Sequence, residues 1–459
     1  TLVGLPKSEL KDKNLEPLEN ELNEIRDNYF IVMTEKEKER LSKKDADLRK
    51  KIAQQLIISG SPSLIPEKII KWNPYDTNSF ADWFDSKLML GVRNGFDIVI
   101  GNPPHGADMS KYLEQIKFSH KYYDTRKNSA SFFIACASSL LKYNGIATYI
   151  IPKSLSFVEG WEPTRNFILS KNKLLVVLDI SKSFENVLLE QIVIIFKNFS
   201  VKDNYIIKTG SGWNKSINII SKIEKSIIET LGVIPCYLEP IKLKIFNKLI
   251  NGSVKLSSIS KTFRGMPWQK KIGSHGEPIL RGRDIGRFFI RDGLDKISLK
   301  PYEKNKKILG LKQKKIVAQN IVAHVMNPYD HIIIMATLDT KGILTLDTCM
   351  NTFITNPKYT YEYILSILNS KLASWYYYWF VYNRAIRTMH FDEYYIGKLP
   401  IKEISLEEQN QYIELVNEIL NLKSQNNNAD TTHLENQIDT LIYKTYGLDE
   451  TDVKIINNS

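Results

Sequence analysis

Four short runs of mainly β-branched and aliphatic residues, 97–100 (DIVI), 146–151 (IATYII), 174–178 (LLVVL) and 192–196 (IVIIF), alternate with helix-like stretches such as 129–142. A strand with one face in water alternates apolar and polar residues, whereas near-continuous apolar strands set between helices belong to a parallel sheet covered on both faces. The predicted class is α/β, and the 97–100 run is expected to be a buried strand.

The flanking sequence differs in character. Residues 10–55 are rich in Glu and Lys with apolar residues at helical spacing, which predicts a helical N-terminal segment over 1–75 with a solvated face. The sheet-bearing domain is expected over 76–210. Residues 240–400 carry short strand-like runs, turn residues and basic groups, among them Lys270, Lys271, Arg281, Arg283 and Arg287, and predict a separate mixed α+β domain over 211–404. In the tail, 405–459, Ser405 with Glu408 and Thr432 with Glu435 fit the capping-box spacing. An antiparallel helical hairpin closing at Gly447 is expected there.

Composition narrows the partners. The 63 Lys and Arg exceed the 51 Asp and Glu, giving +12, a balance that suits a partner of dense negative charge and is also found on proteins that bind nothing acidic. Cys136, Cys236 and Cys349 are too far apart in sequence for a disulfide framework or a short-spaced metal site, so no metal and a reducing cytoplasmic setting are expected. No apolar run approaches the ~20 residues of a bilayer span, so no membrane partner is expected. The chain opens at Thr1 rather than Met, which is read as a sign that further sequence lies upstream or on another polypeptide.

The chemistry concentrates in residues 96–105, FDIVIGNPPH. A strand ends at Gly101, and Asn102, Pro103, Pro104 and His105 follow where ligands bind in such sheets, beyond the carboxyl ends of the strands. Two prolines fix φ and remove competing N–H donors, leaving the Asn102 side-chain oxygen and the Pro103 carbonyl as rigid acceptors. The string resembles the signature of the N6-adenine DNA methyltransferases, Asp, Asn or Ser followed by Pro-Pro and an aromatic residue. That resemblance implies that the two acceptors draw the lone pair of the adenine amino nitrogen out of conjugation and that the flat fourth residue grips the extruded base. The resemblance implies catalytic roles for Asn102, Pro103, Pro104 and His105, with His105 departing from the usual Tyr, Phe or Trp.

The likeness to large restriction-modification enzymes of the type IIG-like group continues outward. Residues 72–74 and 80–91 resemble the approach to the motif, 144–157 (NGIATYIIPKSLSF) the next strand and loop, and 184–197 (FENVLLEQIVIIFK) the strand whose aromatic packs on the flipped adenine, with Phe196 at the matching position. The fold implied is a partial Rossmann-like methyltransferase sheet, then a target-recognition domain and the helical tail. The cofactor implied is S-adenosylmethionine, which in this family sits on a Gly-rich loop after the first strand. No such loop precedes residue 96, and 205–212 (YIIKTGSG) reads better as a hairpin than as a rearranged donor loop. The donor site is therefore expected mostly outside this chain, on an N-terminal portion or a partner subunit.

From about residue 240 the order Phe263-Arg264-Gly265, 280–285 (LRGRDI), 315–320 (KIVAQN), 368–372 (LNSKL) and 398–400 (KLP) resembles the target-recognition domains attached to such enzymes. The resemblance implies double-stranded DNA as partner. Arginine suits guanine edges, Gln and Asn suit adenine, and Lys suits phosphate, so Arg264, Arg281, Arg283, Gln319, Asn320, Lys312 and Lys315 are the candidate DNA-binding residues. The string 374–382 (SWYYYWFVY), beside Arg384 and Arg387, is either a core helix or a stacking platform. The apolar helical series before it favours the core. Three functions remain open at this point: a site-specific adenine-N6 methyltransferase of a restriction-modification or phage-defence system, a non-catalytic DNA-specificity subunit working with a partner that binds the donor, or methylation of RNA or protein, against which the large recognition domain argues.

Overall fold

The computed structural model describes residues 14–60, 64–78, 81, 83–104, 109, 129–181, 189–213, 216–236, 238–298, 306–385 and 389–458. Its contacts divide the chain into two compact units that do not follow chain order. One comprises residues 1–151, 166–175 and 193–203, the other 152–165, 176–192 and 204–459.

In the first unit, the helices Leu15–Ile31 and Glu35–Ile58 pack through Leu15, Leu22, Ile25, Leu41, Leu48, Ile52 and Leu56. Their interface also encloses ions: the wholly buried Asp45 accepts from Arg26 Nε at 2.8 Å and from Arg49 Nε at 2.6 Å. Buried charges persist only when paired and hydrogen-bonded, and Arg49 further donates to the carbonyls of Ile69 and Ile70. The expected solvated helices thus hide a polar interior as well.

Strand β1 (Phe96–Gly101) pairs in parallel with β2 (Leu141–Pro152), Ile98 opposite Ile146 and Gly101 opposite Tyr149. The helix Ser129–Leu140 returns the chain between them. One expectation fails here: Ile98 and Ile100 are 61% and 76% exposed. Ile98 and Ile100 are two residues apart and so share one face of the strand, and among the described residues β1 also has β2 as its sole strand partner, which leaves its other edge unpaired.

In the second unit, β3 (Lys173–Ser181) pairs through residues 176–179 in parallel with β4 (Ile206–Trp213), and β4 pairs antiparallel with β5 (Ser216–Glu224). The 205–212 stretch is accordingly a hairpin arm. A Cβ on Gly210 would lie 2.0 Å from the Asn218 carbonyl oxygen, so these glycines serve close strand packing.

A four-stranded sheet runs in the order Ala336–Asp339, Lys315–Gln319, Cys349–Ile354, Ser260–Arg264. Against it packs a core holding Tyr363, Ile364, Trp375, Tyr377 and Phe380. The aromatic run is interior: the helix Lys371–Tyr376 passes into a π turn, Tyr377–Val381, and all five turn residues are buried. Arg387 lies outside the described residues.

In the tail, Leu406–Gln425 starts on the full Ser405–Glu408 capping box. The helix Thr432–Thr445 is entered from Thr431, whose hydroxyl donates to Glu435 at 2.8 Å. The tail continues past the expected stop at Gly447 with a third helix, Glu450–Asn457, capped by Asp449 and Asp452.

Candidate active site and nucleic-acid interface

The Asn-Pro-Pro corner forms where β1 leaves its sheet. Gly101 is required there, because a Cβ would sit 2.4 Å from the Tyr149 ring that packs over the strand end. Burial pushes the Tyr149 phenol up to about 12, so it is neutral at ordinary pH. Beyond it Asn102 is exposed, Pro103 buried and Pro104 exposed. The Pro104 carbonyl accepts from the hydroxyl of Ser129, wholly buried at the first position of its helix. The corner is thus anchored at both sides of Pro103 while the Asn102 amide faces outward. Ser129 was not anticipated, although a serine opening an apolar helix is a legible signal.

His105 lies outside the described residues. Phe196, expected to stack on the base, is wholly enclosed in the strand Gln191–Lys197. A ring without an exposed face cannot receive a base, so the expectation is corrected: Phe196 is a core residue.

A buried cluster that sequence reasoning missed follows β2. Lys153 Nζ lies 2.9 Å from Asp179 and 3.1 Å from Glu190. Burial works against its charge, but the two carboxylates outweigh this and raise its affinity for the proton. Beside it, Asn383 Nδ2 donates to Ser156 Oγ at 2.7 Å and to the Ile234 carbonyl at 3.0 Å, while its oxygen accepts from Cys236 N at 3.0 Å. Burial pushes the Cys236 thiol up to about 12, which makes it inert rather than nucleophilic. The sequence signal was a lysine placed directly after an apolar strand.

In the four-stranded sheet, register brings several candidates to one end. Arg264 pairs opposite Met350, and Gln319 opposite Cys349 on the same middle strand. Gln319 Nε2 donates to the Ile285 carbonyl at 2.7 Å. Thr348 joins the LRGRDI turn to this end: its hydroxyl accepts from Gly282 N at 3.0 Å and its carbonyl from Asn320 N at 2.9 Å. Within the turn, Arg281 Nη1 and Arg283 Nη2 donate to the same Asp295 oxygen at 2.9 and 3.1 Å. The Arg283 side chain nevertheless remains 64% exposed.

Two lysines part company. Lys312 stays on the surface, 2.7 Å from Glu277. Lys315 is wholly buried, with Nζ 2.6 Å from Asp339 and 2.7 and 2.9 Å from the carbonyls of Leu311 and Ile343. A lysine with no exposed surface cannot reach a phosphate, so Lys315 is corrected from DNA contact to structural ion. Asn320 is also buried and is corrected from base contact to a partner of Arg264.

Among the described residues no group of His, Cys, Asp and Glu could hold a metal ion, and no helix is long and apolar enough to cross a membrane. The donor's cradle does not fit the glycines considered for it, since Gly210 and Gly212 are closed against the backbone of residues 216–219.

Residues 11–185 match the family described as Eco57I restriction-modification methylase. Residues 277–401 match the TaqI-like C-terminal specificity domain. No curated protein matches the chain. Among solved structures it is similar to the type IIG restriction endonuclease BpuSI, at 13% identity and a TM-score of 0.30, over 76% of this chain and 54% of that one. It is also similar to the type IIL restriction-modification enzyme MmeI in complex with DNA, at 12% identity and a TM-score of 0.47, over 91% and 62%. The chain thus spans little more than half the length of either. The chain is thus similar over residues 11–185 to the Eco57I restriction-modification methylases and over residues 277–401 to the TaqI-like C-terminal specificity domains.

Proposed function

We propose that this chain is the base-polarising and sequence-reading part of an S-adenosylmethionine-dependent DNA adenine-N6 methyltransferase of a restriction-modification or phage-defence system, its donor site held by other sequence. The observation that carries the reading is the corner at the end of β1: Asn102 exposed, Pro103 buried, and the Pro104 carbonyl held by Ser129.

The amino nitrogen of adenine is a weak nucleophile because its lone pair is shared with the ring. An Asn102 oxygen and a Pro103 carbonyl, each accepting one amino hydrogen, pull that nitrogen toward a tetrahedral arrangement in which the lone pair becomes available. Acceptors fixed beforehand need no reorganisation as charge develops, an effect worth several kcal/mol in general. Inside a duplex the amino group is out of reach, so the adenine must leave the stack. His105 is proposed to hold the extruded ring.

The open edge of β1 supports a donor site supplied from outside this chain. Exposed Ile98 and Ile100 on a strand with one described neighbour offer an apolar, unpaired surface, and such edges call for cover. The partner proposed for the specificity domain is double-stranded DNA. At one end of the four-stranded sheet Arg264, Arg281 and Arg283 stand with Gln319, side chains suited to reading base edges.

The test uses the complete enzyme with its donor-binding part, duplex DNA and isotope-labelled S-adenosylmethionine, followed by nucleoside chromatography. Label in N6-methyladenine is expected. Label in a cytosine, in protein or in RNA would overturn the proposal.

A further inference from the structure

Arg264 ends its strand with a guanidinium that is half exposed, yet its inner side is built into the fold. With the Asn320 amide turned to satisfy its neighbours, the Asn320 oxygen accepts from Arg264 Nε at 2.9 Å and from Nη2, while its nitrogen donates to Asp392 Oδ1 at 3.0 Å. The same Asp392 oxygen lies 3.5 Å from Arg264 Nε.

Every member is fixed by its backbone. Asn320 N donates to the Thr348 carbonyl at 2.9 Å, and its own carbonyl accepts from Phe391 N at 2.6 Å. Asp392 caps the short helix Glu393–Ile396, its carbonyl accepting from Tyr395 and Ile396. Gly265, next to Arg264, is pressed so closely on the neighbouring segment that a Cβ would lie 2.2 Å from the Leu346 carbonyl oxygen. No part of this frame can drift without breaking the others.

We infer that Asn320 and Asp392 are positioning residues that hold Arg264 in one plane as a guanine-reading group, an inference that rests on the proposed DNA-specificity reading. Two features select guanine over phosphate. First, Asn320 occupies Nε and one Nη2 hydrogen, which leaves Nη1 and the second Nη2 hydrogen, the end-on edge of the fork that can lie in the plane of a base and donate to both O6 and N7. Second, the Asp392 carboxylate repels a phosphate beside the same guanidinium but not the neutral edge of a base. A surface arginine kept for backbone contact gains nothing from a carboxylate at its elbow or from a buried amide fixing its torsions.

The experiment is selection by the complete enzyme from a pool of randomised DNA duplexes at fixed salt, with binding to one non-selected duplex measured over a salt series. The wild type should select a site containing guanine at one position that Arg264→Ala relaxes. Asn320→Ala should relax the same position and no other, lowering discrimination there about tenfold, within the range of one bidentate contact. Asp392→Asn should relax that position too and steepen the salt dependence of non-selective binding, because a phosphate is no longer repelled. The double variant Asn320→Asp with Asp392→Asn restores one carboxylate and one amide between the two positions and should recover most of the selection. If Asn320→Ala fails to fold, Asp392→Asn and the double exchange decide. An unchanged profile in Arg264→Ala overturns the guanine assignment. A relaxed Arg264→Ala beside unchanged Asp392→Asn and Asn320→Ala overturns the positioning while leaving the DNA reading in place, and a wild type that selects no sequence overturns the reading beneath both.

Discussion

Arg165 Nη2 donates to the Tyr394 hydroxyl at 2.9 Å across 229 residues of chain. The other arm, Nη1, donates to the carbonyls of Leu155 and Val158 at 2.9 and 2.8 Å, and the adjoining Tyr395 hydroxyl accepts from Glu159 N at 3.2 Å. The four-residue helix Glu393–Ile396 therefore fixes the loop that follows β2. Arg165 is almost wholly buried, so its hydrogens have no water to turn to.

Tyr394→Phe removes one acceptor and leaves a buried guanidinium N–H unmet. A loss of about 1–3 kcal/mol is expected, read as a lower urea midpoint. An unchanged midpoint would show that the contact contributes nothing.

Asp339→Ala should cost more. It strips the counter-ion from Lys315 at zero exposure, and it also frees the backbone N–H groups of Lys341 and Ile343, which donate to Asp339 at 2.9 and 2.7 Å. Breaking one side of a buried pair typically costs about 3–5 kcal/mol. Thermal unfolding of the variant checks this, and a near-native melting temperature would contradict it.

Lys398 gives a pH signature. Burial, together with the nearby charges of Lys255 and Arg165, pushes its pKa down to about 8, against roughly 10.4 for an unfolded lysine. Between those values the unfolded chain binds the extra proton, so stability rises with pH across this window and the contribution is flat below it. Urea midpoints of wild type and Lys398→Met compared from pH 7 to 10 should diverge in that sense. Parallel curves would count against the depressed value.

Lys312 is proposed as a phosphate contact. Its ion pair with Glu277 is on the surface, where such pairs contribute ~0–1 kcal/mol, so Lys312→Ala should hardly alter stability. DNA binding should lose about one unit of salt slope without a change in sequence preference. A slope identical to wild type would remove Lys312 from the interface.

Much of this is legible in the sequence, wherever the signal is local. A strand that ends in Gly101 and two prolines announces its corner, a serine and glutamate three apart announce the helix at 406, and an aromatic run continuing an apolar helical series announces a core. The failures share a cause, which is that partners distant in sequence decide them. An apolar strand reads the same whether one face is covered or both, so the exposure of Ile98 and Ile100 does not show in the sequence. Lys315 sits among lysines that read as solvated, while its partner Asp339 is 24 residues on. Phe196 was placed by resemblance at a position where burial forbids stacking. The third tail helix was missed because Gly447 read as a stop, although Asp449 and Asp452 carry their own cap.

The central claim is that Asn102 acts on the base and not merely on the fold. It is tested most directly by Asn102→Ala in the complete enzyme, with methyl transfer to duplex DNA, DNA affinity and thermal melting measured on the same preparation. Asn102 is exposed at the end of its strand, so melting and affinity should stay close to wild type while transfer falls by at least about 100-fold, the order seen when a preorganised hydrogen-bonding group is removed from a reacting centre. Transfer surviving within a few fold of wild type would contradict the account and leave a DNA-specificity module whose chemistry lies elsewhere.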